Sequence, residues 1–325
     1  MRALAALAAA GALHLPPGYH AEVYARGLTH PTAMAFRPHG ALYVTEDVGR
    51  VVAVLPRTRR PRVVARGFPV PLGLTWLDRR RLVVSAQGRL VRLDVAANGR
   101  VVRSRTLVSG LPFRLHQQDN VLYHNGRLIF GSGSTCNACR ERDSRSAAVL
   151  SVRPDGSDLR VVARGTRNPY GLAREPRSGR IYVSVNGRDD LDGRGDPEPA
   201  EMVVALRAGR NYGWPACWPS ARRLRLVGSC RGVTPPVAYL EPHSSADGMT
   251  FWRGTLYVAE WGQYDRHEFG RRVVRVGLRG PQRARVSTFA SGFDHPLALA
   301  VDRTDALLVA DWGRGIIYRI TRNAK

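Results

Sequence analysis

The feature that most restricts this chain is a six-fold register of short apolar runs: LYV at 42–44, LVV at 82–84, LIF at 128–130, IYV at 181–183, LYV at 256–258 and LLV at 307–309. Each follows an apolar stretch and a short turn, and leads into a third apolar stretch such as RVVAVL at 50–55, RLVRLDV at 89–95, RRVVRV at 271–276 or GIIYRI at 315–320. A fourth recurs as VVARGF at 63–68, LVSGL at 107–111, VVARGT at 161–166 and FASGF at 289–293, with a glycine suited to a tight turn. Strand repeats of this period predict an all-β fold, a six-bladed β-propeller with four-stranded antiparallel blades.

The sixth copy ends at Ile320 without a fourth strand, whereas HAEVYARGL at 20–28 is a fourth-strand motif without a blade of its own. The N-terminal strand is therefore expected to close the last blade, which joins the ring and leaves no long open sheet edge. The intervals between copies are unequal, the longest running from 181 to 256, so the extra chain is expected in loops, where function concentrates. The repeat overrides a length-based expectation of two domains and predicts a single propeller over 18–325. Residues 1–17 are read as a leader: MRALAALAAAGAL has one positive charge and then an alanine-rich apolar run, which predicts export to the periplasm or beyond.

Composition bears on partners. The formal charge is +24, yet Lys325 is the only lysine among 50 basic residues, and the arginines are spread through every copy. That uniform usage predicts a solvated basic surface, and no nucleic-acid-reading motif accompanies it. No window is long and apolar enough to span a bilayer. The four cysteines suit an oxidising compartment, with Cys136 pairing with Cys139 and Cys217 with Cys230, although two other connectivities are open. Arg140 after Cys139 excludes c-type haem attachment, and the wide spacing of the second pair disfavours a four-thiolate zinc site.

In a propeller the innermost strand runs from one mouth of the ring to the other and the second strand returns. The lead-in to the first strand and the loop after the second thus share a mouth. Counting back twelve residues from each second strand gives His30, Val70, His116, Pro169, Ser244 and His295. The returning loops add TED at 45–47, GSGSTCNAC at 131–139, VNGRDD at 185–190, AEWG at 259–262 and ADWG at 310–313. The largest insertion, in the fourth blade, holds Asp189, Asp190, Asp192, Asp196, Glu198 and Glu201. Such oxygen donors among glycines suit Ca²⁺, but the spacing is not that of an EF-hand and a solvated acidic loop is the alternative.

GLPFRLHQQDNVL at 110–122, GSGSTCNAC, RNPYGLAREPRSGRIYVSVNGRDD at 167–190, GRNYGWPAC at 209–217 and HSSADGMTFW at 243–252 resemble the glucose/sorbosone dehydrogenases. The likeness runs from about residue 18 to 322. It implies a six-bladed quinoprotein that oxidises an aldose or sorbosone-like sugar with pyrroloquinoline quinone (PQQ) and Ca²⁺. On this resemblance His116 is the general base, Arg167 and Asn168 hold the cofactor, and Asn186, Gly187 and Arg188 match a segment whose carbonyls bind Ca²⁺, supported by Asp190.

Two cationic positions depart from the family pattern. His295 stands where an arginine is expected at the sixth blade, and WGQYDR at 261–266 lacks a lysine that Arg266 could replace. The resemblance makes both cofactor contacts. Two other readings compete: an exported, non-catalytic propeller binding glycan or protein at its mouth, and a lactonase-like metal-dependent hydrolase. The hydrolase needs carboxylates and asparagines from several blades, whereas the sequence crowds its acids into one loop. The sequence names neither the sugar, the electron acceptor nor the oligomeric state.

Overall fold

A computed structural model describes residues 13–189, 197–264, 267–279 and 285–323. Six four-stranded antiparallel sheets form, each running outward from an innermost strand. The inner strands are Pro31–Phe36, Gly73–Trp76, Gln118–His124, Asn168–Arg174, Ala246–Trp252 and Pro296–Val301, for blades 1 to 6. Each inner strand packs against the next, and the sixth against the first, so the ring is closed. The strand Tyr19–Arg26 pairs antiparallel with Ile316–Arg322 and completes blade 6, as its unaccompanied motif predicted.

The apolar runs form strands buried on both faces because each blade is sandwiched between two others. In blade 1, Tyr43, Val51 and Ala53 pack towards blade 2, while Leu42, Val44, Val52 and Val54 pack towards blade 6. This is the period of two in a strand with no solvent face. Burying a Val or Leu side chain contributes about 1.5–3 kcal/mol, and similar clusters fill every other junction between neighbouring blades. The outermost strands are more exposed, and Val101–Val108 carries its arginines to solvent.

The fourth-blade insertion adds a hairpin, Cys217–Ser220 with Arg225–Gly228. Disulfides join Cys136 to Cys139 and Cys217 to Cys230, the local pairing expected. Near the N-terminus, His14 exchanges backbone hydrogen bonds with Ser291, and Leu13 and Leu15 pack on the core between blades 5 and 6. The folded body thus includes residues that the sequence reading assigned to a leader ending at 17; residues 1–12 of that leader lie outside the described residues. No helix among the described residues is long and apolar enough to cross a membrane.

Candidate active site

One mouth of the ring holds a cavity of about 660 Å³, a size suited to a small ligand or cofactor. Local backbone irregularity decides which side chains reach it. Five of the six inner strands break register near their start: between Pro31 and Ala33, Gln118 and Val121, Pro169 and Leu172, Ala246 and Met249, and Pro296 and Ala298. A bulge re-aims the side chain of its extra residue. Thr32, Asp119, Tyr170, Asp247 and Leu297 fall inside these breaks, and all five line the cavity.

His116 stands on the lead-in to blade 3. Its backbone N–H donates to the Ser134 carbonyl at 3.0 Å, and its Nδ1 lies 3.0 Å from Ser134 Oγ. Ser134 Oγ donates its one proton to the Cys136 carbonyl at 2.8 Å. Towards His116 the hydroxyl must therefore accept, which puts the imidazole proton on Nδ1 and leaves Nε2 as the basic nitrogen. Burial, and then the charge of Arg167, push the imidazole down to about 3. It is neutral at physiological pH.

Arg167 is only 3% exposed. Its Nε donates to the Asn137 carbonyl at 3.1 Å, and its Nη2 donates to Asn137 Oδ1 at 2.9 Å and to Asp189 Oδ2 at 2.7 Å. Nη1 takes part in none of these bonds. Beside it, Asn168 Oδ1 is buried without a hydrogen-bond partner. Asn186 Nδ2 donates to Asp247 Oδ1 at 3.0 Å, and Asn186 Oδ1 is likewise unpartnered. The Gly187 N–H donates to Glu201 Oε2.

The cavity is acidic. Arg167 is the one arginine among its described lining residues, against Asp47, Asp119, Asp189, Glu201 and Asp247. Burial pushes Glu201 up to about 8 and Asp247 up to about 7. Asp119 is raised well above the usual carboxylate range by burial and then by Asp247. Another stretch of wall is aromatic: Trp261, Tyr264 and Trp312 line it, with Trp312 Nε1 donating to Asp47 Oδ2 at 2.8 Å. His30 stacks on Trp312 with ring centroids 3.9 Å apart.

Of the residues expected from the sequence, His116, Arg167, Asn168 and Gly187 line this one cavity, and Arg188 and His295 do not. The Arg188 guanidinium lies over the Trp218 ring at 5.8 Å, drawn to the insertion's hairpin by a cation–π contact. The His295 ring packs on Trp261 at 4.3 Å and its Nε2 lies 3.3 Å from the Gln263 carbonyl, while its Nδ1, 3.0 Å from Asp294 Oδ1, is buried without a hydrogen bond. Asp190 and Arg266 lie outside the described residues. The acids are also distributed differently from the sequence reading: Asp47, Asp119, Glu201 and Asp247 reach the cavity from blades 1, 3, 4 and 5. For Asp119 and Asp247 the sequence signal, a polar residue at the start of an apolar inner strand, is weak because it appears as a single irregular position.

The residues present fit an anionic quinone and a divalent cation together. Arg167 offers a guanidinium with one nitrogen outside its local bonds, and Asn168 and Asn186, each with a buried oxygen that lacks a partner, line the same cavity as the carboxyls. With five acids and one arginine, a polycarboxylate needs a cation beside it to bind.

Comparison with known proteins agrees with this architecture. The family model described as Glucose / Sorbosone dehydrogenase matches residues 148–265. Aldose sugar dehydrogenase YliI of Escherichia coli (strain K12) is 25% identical over 122 residues, which is 34% of this chain and 29% of that relative. The match thus spans under a third of the relative's length. Among solved structures, a Trichoderma reesei protein of Carbohydrate-Active Enzymes Family AA12 superposes with a TM-score of 0.84 at 18% identity, covering 96% of this chain and 98% of the other. The holo form of the pyranose dehydrogenase PQQ domain from Coprinopsis cinerea gives 0.83 at 21% identity, covering 95% and 97%. At these identities the structures speak to the fold alone. Matched segment, motif order and six-bladed fold coincide, and over residues 148–265 the chain is similar to the glucose/sorbosone dehydrogenase family.

Proposed function

We propose that the protein is an exported sugar dehydrogenase dependent on PQQ and Ca²⁺, acting on an aldose or sorbosone-like sugar. The observation that carries this reading is a neutral imidazole with a free Nε2, placed in one cavity with Arg167 and Asn168. When bound, the quinone supplies the two-electron acceptor and the calcium ion supplies positive charge against its carboxylates. His116 Nε2 would take the proton of the sugar hydroxyl as the carbon that bears it gives up its hydrogen with two electrons, which carries an anomeric carbon to the lactone level. The Ser134 hydroxyl holds the imidazole in the tautomer that can do so. Arg167, fixed by Asn137, binds carboxylate in a set orientation. Trp261, Tyr264 and Trp312 offer flat apolar faces to a sugar ring.

The two disulfides support an oxidising compartment, and export is part of the proposal. The test is sugar-dependent reduction of an artificial dye by protein loaded with PQQ and Ca²⁺, together with a rise in unfolding temperature on loading. No response in either assay would overturn the reading.

A metal-dependent hydrolase is the second reading, favoured by Asp119, Glu201 and Asp247 meeting Asn168 and Asn186 in one cavity from three blades. Lactone hydrolysis by calcium-loaded protein without quinone separates the two.

A further inference from the structure

We infer that the floor of the cavity is a binding site for one divalent, oxygen-preferring cation of the Ca²⁺ class, held by the carboxylates of Asp119 and Asp247 with the Tyr170 hydroxyl between them. Its ligands are side-chain carboxylates and a hydroxyl, not the backbone carbonyls of residues 186–188, and it does not depend on the sugar reading.

Three consecutive inner strands deliver these groups through the same device. Asp119, Tyr170 and Asp247 each occupy a register break at the start of the inner strand of blades 3, 4 and 5, and all line the cavity. Both carboxyls are almost wholly buried, at 1% and 3% exposure. Buried carboxylates are ordinarily paired with a basic group or a metal. Here no basic residue perturbs either one: burial and Asp247 act on Asp119, while burial, Asn186 and Ser245 act on Asp247. A chain of formal charge +24 has thus left both carboxyls without an ion pair among the described residues.

The remaining valences point the same way. Asp119 Oδ2 has no hydrogen-bond partner, and neither has the Tyr170 hydroxyl, on a residue 6% exposed. Asp247 receives Asn186 Nδ2 at 3.0 Å and Ser245 Oγ at 3.2 Å, one bond to each oxygen, so each keeps a lone pair. The frame is rigid, since the Asp247 carbonyl accepts Ser184 Oγ at 2.6 Å and a Cβ built on Gly171 would lie 2.1 Å from that carbonyl. Two carboxylates and a hydroxyl are hard oxygen donors, and Ca²⁺ completes such a set with water or a bound ligand.

The experiment uses metal-free full-length protein without sugar or quinone. Binding is followed by calorimetric titration with CaCl₂ and by luminescence of Tb³⁺, which Tyr170 and Trp261 would sensitise. The wild type should bind Ca²⁺, unfold at a higher temperature with it and sensitise Tb³⁺ emission that Ca²⁺ competes away. Asp119→Asn and Asp247→Asn should each weaken binding by about 10–100-fold. Without metal these isosteric variants should unfold at or above the wild-type temperature, because a buried ionisable carboxyl without a basic partner has been replaced by a neutral amide. Should either variant fail to fold, Tyr170→Phe, which keeps both carboxylates, should weaken Tb³⁺ binding severalfold. The inference is overturned if the wild type shows neither binding nor a thermal shift, or if both asparagine variants bind like wild type while Asp190→Asn does not. Failure of dye reduction alone would leave this result standing and count only against the dehydrogenase.

Discussion

Asn137 holds the Arg167 guanidinium from two sides, accepting Nε at its carbonyl and Nη2 at Oδ1. The same carbonyl accepts Trp214 Nε1 at 3.1 Å. Asn137 lies inside the four-residue loop closed by Cys136 and Cys139, so the disulfide fixes the residue that fixes the arginine. Asn137→Ala should leave the fold intact and weaken quinone binding about tenfold, the scale of one hydrogen bond to a charged group. Titration of the metal-loaded protein with the quinone checks this, with circular dichroism as the control.

Ser134 sets the His116 tautomer through its bond to the Cys136 carbonyl. Ser134→Ala removes the acceptor for Nδ1–H and lets the proton move to Nε2. The expected result is a fall in kcat of about tenfold with KM little changed, whereas His116→Asn should lower kcat by about 10²–10⁴-fold. Steady-state kinetics on the two variants separate positioning from proton transfer.

The depressed pKa of His116 has a consequence for stability. Its folded value of about 3 lies below the ordinary 6.5, so between these values the unfolded chain binds more protons than the native one. The His116 contribution to stability is therefore full above about pH 6.5 and declines as the pH falls towards about 3. Denaturant unfolding of wild type and His116→Asn should show a gap that narrows or reverses on acidification over this window. A constant gap would contradict a neutral, buried imidazole.

Two glycines test packing against backbone conformation. A Cβ on Gly131 would lie 1.9 Å from the Pro169 carbonyl, where blade 3 meets the lead-in strand of blade 4 next to Asn168. Gly27 has φ +81° with nothing within 4 Å of its Cβ. Gly131→Ala should cost more than about 3 kcal/mol through forced backbone movement, and Gly27→Ala about 1–2 kcal/mol through conformation alone. Thermal unfolding of both variants gives the comparison.

The architecture was legible because it rests on local signals repeated many times. A strand buried on both faces must be apolar at consecutive positions, so Leu42 and Tyr43, packing to opposite neighbours, both show as hydrophobic. The missing fourth strand after Ile320 and the spare motif at 20–28 pointed to ring closure, which the pairing of Tyr19–Arg26 with Ile316–Arg322 bears out. His116, Arg167 and Asn168 were readable from motif order, and the structure brings them to one cavity.

The floor of that cavity was decided only by tertiary structure. A β-bulge turns one residue out of its alternating register, and nothing in a period-two pattern says where the extra residue falls; Asp119, Tyr170 and Asp247 therefore read as ordinary strand starts. Their meeting depends on closure of the whole ring, which joins positions far apart in the chain. Burial decided the rest: it turned His295 towards Trp261 and Arg188 towards Trp218, and it raised Asp119 and Asp247 by removing water that no sequence pattern reports.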